Sequence, residues 1–154
     1  MPPAAAAMST VDFRYRLRVR YGECDAQHVV FNARYADYVD LAMTEFMRAI
    51  GRDYRALLAR GLDNQVVKLA LEWVAPARFD EVVDVQVRCT QVGRTSFNMA
   101  YSIRHAATDR PLCDAQAVYV MMATEPFAKT PVPDDLRAAL VAGAPGTMID
   151  HSGG

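Results

Sequence analysis

A carboxylate placed just ahead of a long apolar segment is the part of this sequence best suited to chemistry. Asp25 lies in a polar loop seven residues before Asn32, where apolar residues begin to recur at helical spacing. The first N–H groups of a helix have no partner inside it and lie at the positive end of its dipole. They can stabilise an oxyanion while a nearby carboxylate acts as nucleophile or general base. The pattern therefore predicts an acyl-transfer site.

Other residues of this loop offer alternative roles. Asp25 could simply close an Asx turn or cap the helix. His28 could exchange a proton beside Asp25, although a loop histidine more often only hydrogen-bonds the backbone. Cys24 could suggest a thiol nucleophile, but adjacent residues on an extended segment point to opposite sides. We therefore expect Cys24 to be a small buried thiol that does not share a site with Asp25.

Three acidic residues of the predicted helix are further candidates for a catalytic acid. They lie on or near a narrow polar stripe that also carries two arginines, so exposed ion pairs are the simpler interpretation. The acidic residues are Asp37, Asp40 and Glu45, and the arginines are Arg34 and Arg48.

The elements that would position this loop follow from the spacing of apolar residues. Strict alternation from Val11 to Val19 predicts a strand, and four arginines on its polar face either guard a solvated surface or attract an acidic ligand. A wide apolar face predicts a largely covered helix from Asn32 to Ile50, followed by a shorter helix from Tyr54 to Arg60. Further strands are predicted at Gln65–Val74, Val82–Thr90, Phe97–His105 and Leu112–Ala123, and a terminal helix at Pro131–Val141. One long helix and about five antiparallel strands predict an α+β domain.

Composition limits the class of protein. The chain has 154 residues, of which 52% are hydrophobic, and a net charge of -1. This predicts a single domain without a nucleic-acid-binding surface. It has no secretory signal and no run near the ~20 apolar residues of a membrane span, so we expect a cytoplasmic protein without membrane insertion. Three cysteines without paired spacing and three histidines predict reduced thiols, no metal and no cofactor.

Three motifs together resemble the 4-hydroxybenzoyl-CoA thioesterase family of hotdog-fold proteins. The first is Asp25, Asn32 and Tyr35 in the loop and helix start. The second runs from Leu71 to Glu81 and contains an Ala-Pro-Ala-Arg corner. The third is the turn Gly93–Phe97. In order and spacing the resemblance extends roughly from Val11 to Leu140. Within the family, the sequence is most similar to bacterial acyl-CoA thioesterases, including those associated with the Tol/Pal system.

The resemblance implies a fold, an activity and a set of site residues. It implies a hotdog domain over residues 10–141, with the sheet wrapped around the central helix. The residues on either side of it, 1–9 and 142–154, are expected from the sequence to be flexible tails. It implies an acyl-CoA substrate, Asp25 as catalytic carboxylate, and the Asn32 backbone N–H as donor to the thioester carbonyl. It also implies a homodimer or homotetramer with active sites at the interface. The residues expected near substrate or coenzyme A are His28, Tyr35, Lys68, Arg94, Thr95 and Ser96.

Two other classes of function stay open at this point. A non-catalytic module that binds acyl-CoA or an acyl carrier could keep the same fold. A hotdog dehydratase or isomerase would need a His/Asp pair facing the acyl chain, and His28 is the only histidine near Asp25.

Overall fold

The computed structural model describes residues 12–153. The N-terminal tail predicted at residues 1–9, and Val11 of the first predicted strand, lie outside this range. The elements in chain order are β1 (Phe13–Arg18), a 3-10 turn (Tyr21–Glu23), α1 (Arg34–Ala49), α2 (Tyr54–Ala59), β2 (Leu62–Trp73), β3 (Val82–Val92), β4 (Ser96–His105), β5 (Pro111–Thr124), β6 (Phe127–Lys129), α3 (Asp134–Ala142) and β7 (Met148–His151).

The strands form one sheet in the order β2-β5-β4-β3-β1-β7, with β6 paired to the end of β5. All pairings are antiparallel except that of β7 with β1, which is parallel. The predicted α+β class and the antiparallel sheet around a central helix are therefore confirmed. The expectation of about five strands is too low, because the described residues form seven. The two additional strands, β6 and β7, are short and carry little apolar alternation, which is why their sequences gave no strand signal.

Helix α1 supplies much of the core. Its apolar face is buried on the sheet, and the ring of Phe46 meets that of Phe13 on β1 at 5.6 Å between centroids. Near its first turn, Tyr35 packs edge-on against Trp73 at the end of β2, with 6.2 Å between centroids. The helix therefore fixes the loop before it to one end of the sheet. Within residues 12–153 no helix is long and apolar enough to cross a lipid bilayer.

The four arginines on the polar side of the first strand region have carboxylate partners, which favours the interpretation of a charge-balanced surface. The pairs are Arg14 and Arg16 with Asp84, Arg18 with Asp80, and Arg20 with Glu23. Asp84 is almost fully buried and receives two hydrogen bonds from Arg16, at 2.7 and 2.9 Å. Each of these guanidinium groups thus has an ion-pair partner within the chain.

Strand β2 forms an open edge of the sheet. Among residues 12–153 it pairs only with β5, and most of its twelve residues are exposed. Val66, Val67 and Trp73 keep 51%, 60% and 47% of their surface exposed. A long apolar edge strand of this kind offers backbone groups and side chains for pairing with another strand.

The flexible tail predicted at residues 142–154 is wrong for the segment that forms β7. Met148 to His151 pair in register with Arg14 to Leu17 of β1. The Arg18 side chain also donates to the Ser152 carbonyl at 3.1 Å. The segment is ordered because it satisfies the backbone groups at the β1 edge, which a search for apolar periodicity does not detect.

Candidate active site

The loop that carries Asp25 is closed by backbone hydrogen bonds. An antiparallel bridge joins Cys24 to Val30, with Asp25 N–H donating to the Val29 carbonyl at 2.9 Å. At the tip, His28 N–H donates to the Asp25 carbonyl at 3.0 Å. The ends of the loop are thereby held side by side, and Asp25 has a fixed backbone position.

The Asp25 carboxylate is half-buried and only partly engaged. Its Oδ1 accepts the Gln27 N–H at 2.8 Å, which forms the Asx turn anticipated as the alternative role. Among residues 12–153, Oδ2 receives no hydrogen bond. One oxygen therefore orients the side chain, and the other is free to act on a ligand.

His28 takes a backbone conformation that residues other than glycine rarely adopt. Its φ is 64°, in the left-handed region where glycine is at ease. The imidazole is exposed, and no other described residue contacts it through a hydrogen bond or ion pair. The Asp25 carbonyl and the His28 N–H close the turn, so the side chain projects from its tip.

Asn32 lies two residues before α1, so the predicted helix start at Asn32 is too early. Arg34 N–H donates to the Phe31 carbonyl at 2.9 Å and Tyr35 N–H to the Asn32 carbonyl at 3.3 Å. These hydrogen bonds, each between residues three apart, form a 3-10-like turn that leads into the helix. The N–H groups of Asn32 and Ala33 have no acceptor within the described part of the chain. Two adjacent donors are thus left free beside the Asp25 loop.

Tyr35 is a buried support of this site. Its side chain is 1% exposed, and its hydroxyl accepts the Ala77 N–H at 3.1 Å. The Ala77 carbonyl in turn accepts the Val30 N–H at 2.9 Å, so Tyr35 connects the helix to the corner after β2 and to the loop. Within the described chain the hydroxyl of Tyr35 is therefore occupied by a backbone group.

Glu23 is a structural residue of the site that sequence patterns missed. It is buried, and it accepts hydrogen bonds from the Arg20 N–H at 2.8 Å, the Arg20 guanidinium at 2.9 and 3.0 Å and the Tyr38 hydroxyl at 2.8 Å. Burial alone would raise the pKa of Glu23, but the donors outweigh it and lower that pKa. Burial and Glu23 raise the pKa of Tyr38 strongly. The sequence feature that could have indicated this ion pair is the Arg-x-x-Glu spacing of Arg20 and Glu23 just before the loop.

Cys24 does not present a thiolate to this site. Burial, followed by the charges of Glu23 and Asp25, raises the pKa of the Cys24 thiol. Its partner in the bridge, Val30, is 1% exposed. Bridged residues share a face, so Cys24 faces the core with Val30 while Asp25 takes the opposite face. The thiol stays protonated near neutral pH.

The residues expected to bind coenzyme A lie far from Asp25 within one chain. Arg94 and Thr95 lie in the turn between β3 and β4, and Ser96 begins β4. The register links Ser96 through Val120 to Gln65 of β2. The Asp25 loop adjoins the opposite end of that strand, where Trp73 lies. Lys68 is exposed in the middle of β2. A single chain therefore does not bring these four residues to the loop.

The helix carboxylates differ in their pairing. Asp37 pairs with Arg34 at 3.2 Å and Glu45 with Arg48 at 3.2 Å. Among the described residues the Asp40 carboxylate has no ion pair or hydrogen bond, and it lines two cavities of about 260 and 270 Å³ between α1 and β2. Asp40 is thus the one of the three that remains a rival to Asp25.

Comparison with known proteins identifies the family. Residues 19–140 match the model of the thioesterase-like superfamily. Acyl-CoA thioester hydrolase YbgC of Escherichia coli O157:H7 is 34% identical over 99 residues, which cover 64% of this chain and 74% of that protein. The crystal structure of a hypothetical protein from Thermus thermophilus superposes with a TM-score of 0.76 at 31% identity, covering 84% of this chain and 97% of that one.

A 1,4-dihydroxy-2-naphthoyl-CoA thioesterase from Synechocystis gives a TM-score of 0.77 at 22% identity, covering 83% of this chain and 94% of that one. At this identity the likeness supports the fold alone. The region that matches the family model, residues 19–140, contains the Asp25 loop, α1 and every strand except β1 and β7. The chain therefore belongs to the thioesterase-like superfamily and has the hotdog fold.

Proposed function

We propose that this protein is an acyl-CoA thioesterase, which hydrolyses a thioester to a free carboxylic acid and coenzyme A. The observation that carries the proposal is a carboxylate oxygen in a closed loop and backbone donors directly after that loop, all without hydrogen-bond partners among residues 12–153. Asp25 supplies the oxygen, and Asn32 and Ala33 supply the donors. Membership of the thioesterase-like superfamily and the name of the E. coli relative support the same reaction.

The chemistry follows from these groups. The Asn32 N–H donates to the thioester carbonyl oxygen and stabilises the negative charge that forms there. Asp25 then acts in one of two ways. It attacks the carbonyl carbon, which expels coenzyme A thiolate and leaves an acyl-aspartyl anhydride for water to hydrolyse, or it takes a proton from the water that attacks. Both routes consume one water and release the acid and the thiol.

We further propose that the working unit is a homodimer formed through β2, or a homotetramer made of two such dimers. Two β2 edges paired antiparallel about a two-fold axis would bring the Gln65 end of one strand to the Trp73 end of the other. This pairing would carry Arg94, Thr95 and Ser96 of one chain towards the Asp25 loop of its partner. The exposed apolar residues of β2 support such an interface. A cytoplasmic location stays a prediction from the sequence.

The experiment is free-thiol release from short, long and aromatic acyl-CoAs, comparing wild type with Asp25→Asn after subtracting the signal of the three cysteines. We expect hydrolysis by the wild type and a fall in kcat of at least ~100-fold in Asp25→Asn. Asp37→Asn is the matched control, because this exposed aspartate is already paired with Arg34. It should keep wild-type activity.

The alternative functions predict different results. A non-catalytic acyl-CoA binding module would bind the substrates with no turnover, and Asp25→Asn would not matter. A dehydratase or isomerase would change an enoyl-CoA without releasing thiol, which chromatography of the products detects. Circular dichroism on each variant separates loss of chemistry from loss of fold.

A further inference from the structure

Arg78 is an arginine without a partner close to the Asp25 loop. It is exposed, and within residues 12–153 its guanidinium makes no ion pair or hydrogen bond. Six other arginines of the described chain are engaged by carboxylates or carbonyls. They are Arg14, Arg16, Arg18, Arg20, Arg104 and Arg137. Arg78 is therefore available to an external anion.

The bridge register places Arg78 on the same face as Asp25. Because Cys24 opposes Val30, Asp25 opposes Val29, and Val29 in turn is bridged to Arg78. Residues that oppose one another across such bridges point to the same side. Two strand spacings put the backbones of Asp25 and Arg78 about 10 Å apart. Arg78 thus lies on the same side as Asp25 but two strands away, which suits an anionic group further along the same molecule.

The Arg78 backbone is held firmly in a turn. Its N–H donates to Glu81 Oε1 at 2.7 Å, and its carbonyl accepts the Glu81 N–H at 3.2 Å. Asp80, with φ of 69°, donates its N–H to the Val19 carbonyl and accepts from Arg18. The turn therefore presents its remaining two side chains, Arg78 and Phe79, from a fixed scaffold.

An exposed aromatic pair adjoins this arginine. Phe79 is 54% exposed and Tyr21 is 81% exposed, and their rings meet edge to face at 5.9 Å between centroids. An edge-to-face pair leaves ring faces uncovered, and exposed aromatic faces bind nucleobases by stacking. A guanidinium and an aromatic ring on consecutive residues of one turn suit a ligand that carries both a phosphate group and a base.

We propose that Arg78, together with the Tyr21–Phe79 pair, binds the nucleotide end of coenzyme A, with the guanidinium on the phosphates and an aromatic face on the adenine. The inference rests on the proposed thioesterase function and adds to it a site on the same chain as Asp25. It assigns nucleotide binding to a different turn from the one that carries Arg94.

The test compares acyl-CoA with the same acyl group on pantetheine, which lacks the nucleotide. In Arg78→Ala we expect KM for acyl-CoA to rise about tenfold with kcat nearly unchanged, and KM for acyl-pantetheine to stay at its wild-type value. Arg78→Lys should recover part of the loss, and Phe79→Ala should raise KM for acyl-CoA only. Arg55→Ala, on an exposed arginine of α2 that has no partner among the described residues, is the control and should change neither.

Calorimetry with adenosine 3′,5′-bisphosphate separates this inference from the proposed function. Binding that weakens in Arg78→Ala supports the site even if the wild type hydrolyses no thioester. Hydrolysis with an unchanged KM for acyl-CoA in Arg78→Ala overturns the site and leaves the thioesterase intact. An equal rise of KM for both substrates also overturns the site. So does a change in the sedimentation coefficient of Arg78→Ala without a change in KM, because that result would show that the patch is a contact between copies of the chain.

Discussion

The Tyr38 hydroxyl donates to Glu23 Oε1 at 2.8 Å, and this hydrogen bond connects the second turn of α1 to the start of the Asp25 loop. Glu23 also accepts from Arg20 and, through its backbone carbonyl, from the Phe31 N–H at 2.9 Å. One buried carboxylate therefore fixes the chain both before and after the loop. The position of Asp25 depends on a neighbour two residues away that takes no part in the proposed chemistry.

Glu23→Gln should destabilise the protein by about 1–3 kcal/mol at neutral pH, because it weakens hydrogen bonds to a buried charged group. The pKa of Glu23 is lowered in the folded protein from the ordinary 4.5. Its ionised form therefore adds stability that is complete above pH 4.5 and is lost as the pH falls through the lower, folded-state pKa. Urea unfolding at several pH values should show the wild type and the variant converging in acid. A constant difference down to the lowest pH would contradict this.

Tyr35→Phe should lower stability by about 1–3 kcal/mol, since it leaves the buried Ala77 N–H without an acceptor. The same N–H belongs to the corner that hydrogen-bonds the loop at Val30. We therefore expect kcat to fall while KM for acyl-CoA changes little. Thermal unfolding and thiol-release kinetics measure the two effects. A loss seen only in KM would instead indicate that Tyr35 contacts the substrate directly.

Asp40→Asn should reduce kcat less than about fivefold if Asp25 is the catalytic carboxylate. Asp40 is the helix carboxylate that lacks a partner among the described residues, and for that reason it is the sharpest rival. Removing the true catalytic carboxylate should cost at least ~100-fold. Steady-state kinetics of the two variants side by side decide between them, and a reversed order would move the chemistry to α1.

Val67→Arg should convert the proposed dimer to a monomer. This residue is 60% exposed at a bulge of the β2 edge, and a charge there opposes pairing with a second apolar edge. Val141→Arg is the control, because Val141 is 73% exposed on α3, away from that edge. Sedimentation velocity should report a smaller species for the first variant only. If wild type is already a monomer, the interface proposal fails.

Much of the fold could be predicted because its major elements have strong periodic patterns. Alternation in β3 and β4 and the wide apolar face of α1 each identified an element to within two residues of its bounds. Strand β7 could not be found this way, since its order comes from backbone pairing with β1. The ion pairs of Arg14 and Arg16 could not be predicted either, because their partner Asp84 is distant in sequence.

Only those residues of the candidate site that are close together in the sequence could be predicted. Asp25 and Asn32 stand seven residues apart in one loop, so their spacing is visible in the sequence. Arg78 is brought to that loop by the Val29 bridge across some fifty residues of chain, and only the folded register reveals it. The separation of Arg94 from the loop is a property of strand order, which no local motif encodes.

The parallel strand β7 has a consequence for growth of the assembly. A chain with two long, free sheet borders could add copies at both and extend into a fibre, whereas a chain with one such border completes its association when two copies meet. In this protein β7 occupies the border beside β1, and the long apolar border that remains is β2. In the proposed dimer, the four-residue strand β7 would therefore favour a finite assembly over a polymer.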